Sequence, residues 1–287
     1  MSSGLAALRH RYAQMMTGSL QGGDPRLRDA FAAVPREDFL GPPPWTVRGV
    51  SMPLTAHDPA ELYHDVLVAL DAAKGLNNGS PSLHAQMLHR LGVQPGDRVL
   101  HLGAGGGYYT AILAELAGAV GRVTAVEFDP ALAAAAQANL RPWPWVTVVN
   151  GDGAAFPTAE TDRIYVNFAL AAPADAWLAH LAVGGRLLFP LGVPRPGAEG
   201  AERRHSARGA VLAVTRTPDG FAAALEGPVA FVFAEGPTAG DAATQAAVYE
   251  ALGRGDMDSV RSLHRGPGPD GRTWCSTARW SLGVDPP

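Results

Sequence analysis

Lysine is all but missing from this chain: Lys74 is the only one among 23 basic residues, the rest being arginine. Set beside the heavy use of alanine, this is the mark of a GC-rich coding bias rather than of chemistry. Cysteine is down to Cys275, which has no partner for an internal disulfide and suits a reducing cytoplasm. Charged residues are scarce at 17%, and the formal net charge is −4. With no basic excess to neutralise phosphates, a nucleic-acid partner is not expected. Long apolar runs are missing as well. The opening MSSGLAALRHRYAQMM carries polar and charged groups throughout instead of a signal peptide's apolar stretch. No segment approaches the roughly 20 apolar residues of a membrane span. The nine histidines are scattered, with no cysteine or carboxylate company at zinc-ligand spacing, so no metal site is expected. These absences imply a soluble, cytoplasmic chain without a membrane segment, and an apolar content of 47% supplies a sizeable core.

What is present changes character along the chain. Residues 1–80 read as a helical, loop-rich leader over the substrate side. Asp24-Pro25 can cap and open a helix, and Pro42-Pro43-Pro44 forces an extended or turn segment. From residue 98, short apolar runs at 98–102, 122–128, 146–150, 163–167 and 186–190 alternate with alanine-rich helical stretches near 108–118, 130–140 and 174–182. That alternation predicts an α/β fold with a doubly wound, mostly parallel sheet and helices on both faces. Residues 192–206 read as an exposed loop, 210–215 and 229–234 as the last strands. Residues 81–236 would be the core, and 237–287, with a helix at 241–252, an extension packed on it.

The segment VLHLGAGGGY at 99–108 ends a strand and opens a helix. Glycines at 103, 105 and 107 let the backbone turn tightly and approach a ligand without Cβ clashes. Glu127 ends the next strand, where a carboxylate can accept two hydrogen bonds from a ribose diol. A dinucleotide fingerprint would place its third glycine at 108, which is Tyr108. The G-x-G-x-G pattern that is met instead suits a nucleoside carrying an amino-acid tail. Asp152 in GDG at 151–153 follows the third strand and can accept from an adenine amine.

Before the first core strand, NNGSPSLHA at 77–85 reads as a well-capped helix start, with Ser80 as N-cap and Pro81 as first helical residue. Its unpaired N–H groups, with Asn77, Asn78, Ser80 and Ser82, would form a carboxylate cradle shaped by Tyr63 and Asp65. His84 can orient a substrate or simply pack.

Taken together, VPREDF at 34–39, YHD at 63–65, Pro81 with AQM at 85–87, the glycine loop through Tyr108, GDG, DRI at 162–164 and GGRLLFPLG at 184–192 resemble the protein-L-isoaspartate O-methyltransferases. The resemblance covers residues 24–236. It implies a methyltransferase sheet, S-adenosylmethionine as cofactor (S-adenosylhomocysteine as product) and esterification of the misplaced carboxylate of isoaspartyl residues. It places Gly103, Ala104, Gly105, Gly107, Glu127 and Asp152 around the cofactor, joined by His101, Tyr108, Phe128, Gly153 and Asn167. Three departures from the family pattern stand out. The family's T-I-S-x-P puts a serine where this chain has Gly79, His101 stands where an acid is usual, and NFAL at 167–170 replaces a small-residue stretch.

A carboxylate acceptor is ionised near pH 7, with an ordinary pKa of about 4, and needs no general base. The favoured substrate is therefore a peptide, protein or small-molecule carboxylate. Other readings stay open: O- or N-methylation of a small metabolite or peptide natural product on the same scaffold, or a non-catalytic cofactor-binding interaction module. A nucleic-acid amine methyltransferase is disfavoured because Phe168 and Ala169 break the Asn/Asp-Pro-Pro-aromatic pattern after Asn167.

Overall fold

Proline, asparagine and aspartate punctuate the chain where its helices begin, and the elements follow that punctuation. A computed structural model describes residues 2–48, 53–234, 239–269 and 271–287. Its contacts divide the chain into two units, Met1–Asp152 and Gly153–Pro287. The expected core boundary at Gly236-Pro237 lies outside the described residues.

The first unit opens with α1 (Ser2–Thr17) and α2 (Pro25–Ala33). Asp24 caps α2 by accepting from Leu27 N, with Pro25 in the first turn. The leader then departs from the helical expectation. β1 (Trp45–Arg48), β2 (Pro53–Ala56), β3 (Leu67–Asp71) and β4 (Leu76–Asn77) form an antiparallel sheet in the order β2-β1-β3-β4. The cause is a period-two pattern too short to stand out: Trp45 and Val47 are buried while Thr46 and Arg48 are exposed. Trp45 and Val47 pack with Ala56, Leu62 and Val68 into a small core of their own.

Helix α3 (Pro81–Leu91) follows, capped by Ser80 and closed by Gly92 in the left-handed conformation. Next come β5 (Arg98–Leu102), α4 (Tyr108–Ala117), β6 (Arg122–Glu127), α5 (Pro130–Asn139) and β7 (Val146–Asn150). β5 pairs parallel with β6, and β6 with β7, which is the predicted strand–helix–strand alternation. α4 is buried almost all round, matching its uniformly apolar YYTAILAELA.

In the second unit, β8 (Thr161–Val166), α6 (Asp175–His180) and β9 (Leu181–Val193) continue the pattern, with β8 and β9 parallel. The α/β class and its parallel strands are as expected, but the unit then turns antiparallel. β9 runs 13 residues and pairs with β10 (Arg208–Arg216), which pairs with β11 (Phe221–Pro228). The expected strand at 229–234 is instead an irregular segment making single bridges, Phe233 to Ala169 and Val232 to His205. The strand itself lies one segment earlier, hidden in the alanine-rich FAAALEGP. After α7 (Ala242–Arg254), β12 (Ser262–Arg265), β13 (Thr273–Ser276) and β14 (Trp280–Gly283) extend the same sheet through β11–β12 pairing. The tail is part of the sheet rather than an appendage. Among the described residues, no helix is long and apolar enough to cross a membrane.

Candidate functional site

β5 delivers the glycine loop and β6 delivers its acid. Gly103 N and Ala104 N both donate to Val126 O, at 2.9 and 3.3 Å, which ties the loop to the end of β6. Gly103, Gly105 and Gly107 have φ of 75°, 56° and 95°. Glu127 is only 8% exposed. Its Oε2 accepts from Gly105 N at 2.7 Å and its Oε1 from Asp129 N at 2.9 Å. Each carboxylate oxygen therefore keeps acceptor capacity for one further donor, which is what a vicinal diol offers. Burial raises the Glu127 carboxyl above its usual range, against the pull of the Asp129, Gly105 and Phe128 N–H groups. The next residue, Phe128, leaves its side chain 58% exposed, an apolar ring beside the acid. Asn150 at the end of β7 donates to Glu127 O and Phe128 O, fixing this corner to the loop that carries Asp152. The donor set and the side-chain-free loop fit a nucleoside.

Two predicted cofactor residues turn their side chains inward. His101 is fully buried, and its Nδ1 lies 2.8 Å from Thr110 Oγ1 of α4. Tyr108 heads α4 with its ring among Phe31, Phe39 and Tyr109. Gly153 and Asn167 belong to the second unit. There Gly153 O accepts from Trp177 Nε1 at 2.9 Å, and Asn167 is half-buried just past β8.

One glycine outside the pattern is as constrained as those within it. A Cβ on Gly106 would sit 2.5 Å from Phe39 O, so the leader's 3-10 turn Arg36–Phe39 packs directly on the loop. Its sequence signal is a glycine between Gly105 and Gly107, at a position G-x-G-x-G leaves open.

From the same turn, Arg36 reaches inward. Its fully buried guanidinium donates to Leu62 O at 2.5 Å, His64 O at 3.0 Å and Val66 O at 2.6 Å. Those bonds set the loop bearing Asp65. Asp65 in turn occupies the start of α3: Ser80 Oγ and Ser82 N each donate to its Oδ1 at 3.0 Å, and Ser82 Oγ to its Oδ2 at 2.5 Å. The predicted cradle thus already holds a carboxylate of this chain. Asn77 Oδ1 accepts from Gly79 N, and Asn78 Oδ1 from Val68 N. Asn78 is 6% exposed, and its Nδ2 has no partner among the described residues. Tyr63, expected to shape the pocket, is buried with its hydroxyl donated to Glu37.

The Gly79 departure has a local cause. Gly79 has φ of 74°, and a Cβ there would lie 2.1 Å from His84 Nε2. The His84 ring, stacked on Tyr109 at 3.7 Å, fills the space a side chain at 79 would need. Burial holds His84 well below its ordinary pKa, so it is neutral.

Comparison with known proteins agrees with this geometry. The family model described as protein-L-isoaspartate(D-aspartate) O-methyltransferase matches residues 14–209. A protein-L-isoaspartate O-methyltransferase of Aeropyrum pernix is 38% identical over 59% of this chain, a match that spans 61% of that relative. One from Ignicoccus hospitalis is 32% identical over 71% of this chain and 86% of its own length. A solved protein-L-isoaspartate O-methyltransferase structure shares the fold with a TM-score of 0.66 at 19% identity, over 96% of this chain and 88% of its own. The chain belongs to the protein-L-isoaspartate(D-aspartate) O-methyltransferase family.

Proposed function

We propose that this chain is an S-adenosylmethionine-dependent O-methyltransferase that esterifies a peptide or protein carboxylate, the isoaspartyl side chain first among them. The observation that carries this reading is the Glu127 carboxylate, buried at the end of β6 with capacity left on both oxygens, against a glycine loop in a chain of this family. When bound, S-adenosylmethionine supplies an electrophilic methyl group on a sulfonium. Glu127 would take the ribose diol, Phe128 would flank the base and Asp152 would accept from its amine. Gly103, Ala104, Gly105 and Gly107 offer backbone that closes on the ligand. His101 and Tyr108 shape the loop from within.

On the acceptor side, Asn78 Nδ2 is the donor left over at the start of α3. Asp65 holds Ser80 and Ser82 in place beside it, and Asn77 fixes the turn. An ionised carboxylate needs a donor and a direction rather than a base. The buried neutral histidines behind the site are consistent with that. The net charge of −4 and the single buried cysteine favour a cytoplasmic protein substrate over nucleic acid.

A second reading has one specific observation behind it. Because His84 fills the place of a side chain at 79, the acceptor pocket differs from the family pattern, which favours another carboxyl-bearing peptide such as a peptide natural product.

The test is transfer from methyl-labelled S-adenosylmethionine to matched aspartyl and isoaspartyl peptides, followed by mild base. Base-labile label on the isoaspartyl peptide alone, lost in N78A with cofactor affinity intact, is the expected result. Cofactor binding without transfer to either peptide would move the search to other acceptors. Base-stable label would show that the product is not a carboxyl ester.

A further inference from the structure

Composition marks Lys74 only as a rarity, yet the fold gives it a specific position. It sits in the turn between β3 and β4, its side chain 56% exposed, paired with the Asp129 carboxylate and 3.7 Å from Asp71. Asp129 is the N-cap of α5, accepting from Ala131 N and Leu132 N. Asp129 N is one of the backbone donors that hold Glu127. Gly105 N is another, and Phe128 N adds to them. On the same hairpin, Leu70 Cδ1 lies 3.1 Å from where a Cβ on Gly105 would be. A single hairpin therefore touches two of the residues whose N–H groups aim the Glu127 carboxylate, Gly105 through Leu70 and Asp129 through Lys74.

Charge around Glu127 is lopsided. The glycine loop and β7 carry none, and α5 carries none beyond its cap. Asp129 stands at that cap, Asp152 after β7 and Asp71 on the hairpin. Glu115 is in the last turn of α4, and Arg98 and Arg122 are at the amino ends of β5 and β6. The turn packed on the loop adds Arg36, Glu37 and Asp38, and Lys74 is the cation that pairs with the cap of α5. Its contribution to fold stability is small, since exposed ion pairs are screened by solvent. Its reach is electrostatic: the charge of Asp129 adds to the burial that raises Glu127, and Lys74 holds Asp129 low by pairing with it.

We infer that Lys74 is a positioning residue for the nucleoside end of the cofactor: the β3–β4 hairpin is a strap across the Gly105–Glu127 corner, latched by the Lys74–Asp129 ion pair, whose cation offsets the acids around Glu127. The inference rests on the cofactor reading above and adds a residue to it.

The test compares wild type, K74M, K74R and the double variant K74M/D129N. S-adenosylhomocysteine affinity and dissociation rate are measured from pH 5 to 8 at low salt. Asparagine keeps the N-cap, so the D129N change removes charge without uncapping α5. K74M is expected to weaken binding about three- to fivefold, mostly through faster dissociation. In K74M the pH below which binding falls off moves upward, because an uncompensated Asp129 makes Glu127 easier to protonate. K74R restores both readouts. The double variant returns the pH fall-off to the wild-type position while dissociation stays fast. Wild-type binding with an indifferent K74M overturns the latch alone, as does a K74R as weak as K74M. A wild type that fails to bind S-adenosylhomocysteine overturns the cofactor reading and the latch with it.

Discussion

His101 sits in the middle of β5 with no exposed surface, and burial lowers its pKa to about 3. An unfolded histidine titrates near 6.5. Between about pH 6.5 and 3 the unfolded chain therefore binds the proton and the folded chain does not. The stability His101 allows is fully present above about pH 6.5 and is lost as the pH falls, by about 1.4 kcal/mol per pH unit. His84 is shifted in the same direction by burial. Urea unfolding of wild type and H101L between pH 7 and 4.5 should show a shallower pH dependence in the variant, by close to one proton's slope. Parallel curves would mean that His101 stays protonated inside the fold. At this scale the legible features were those set by chain spacing: three loop glycines in the left-handed region and a carboxylate, Glu127, at the end of β6 against them. Gly106, Lys74 and the His84–Gly79 exchange depend on partners far along the chain or on ring placement, so no local pattern announced them.

The start of α3 shows how an element's meaning depends on what packs against it. Ser80 and Pro81 gave the boundary and cap correctly, because capping chemistry is local. That the donors would be filled by Asp65 was not readable, since Asp65 is delivered by a loop that Arg36 holds from another element. The same limit explains the leader's sheet, whose strands run two to five residues, and β11, whose alanines suggest helix until β10 pairs with them. An element-scale prediction follows from Gly79. G79S combines a left-handed φ with a Cβ that collides with His84, and should cost at least about 2 kcal/mol in urea unfolding. Shortening the ring in G79S/H84A removes the collision but not the backbone strain, so the double variant should recover part of the loss relative to the sum of the two single changes. Additive losses would show that the two positions do not compete for space.

At the scale of the whole chain, the C-terminal segment decides what counts as the core. Read as an appendage it would be dispensable, yet β12 pairs with β11, and β14 and β13 continue the sheet outward. Val248, Leu263, Trp274, Trp280 and Leu282 are all buried. Arg208 of β10 stacks on Tyr249 at 3.9 Å and donates to its carbonyl, so α7 is bound to the sheet by more than apolar contact. The likeness to a solved family structure extends over 96% of this chain, well past the end of the family model at residue 209. Five buried apolar side chains, at about 1.5–3 kcal/mol each, amount to roughly 10 kcal/mol as an upper estimate. That is comparable with the whole stability of an ordinary domain, about 5–15 kcal/mol. A chain ended after Ala234 should therefore lose cooperative unfolding and collect in the insoluble fraction, its β11 edge open to other chains. If that shortened chain stays soluble and melts in a single transition, the second unit can close its sheet at β11, and the tail is an addition to a fold complete without it.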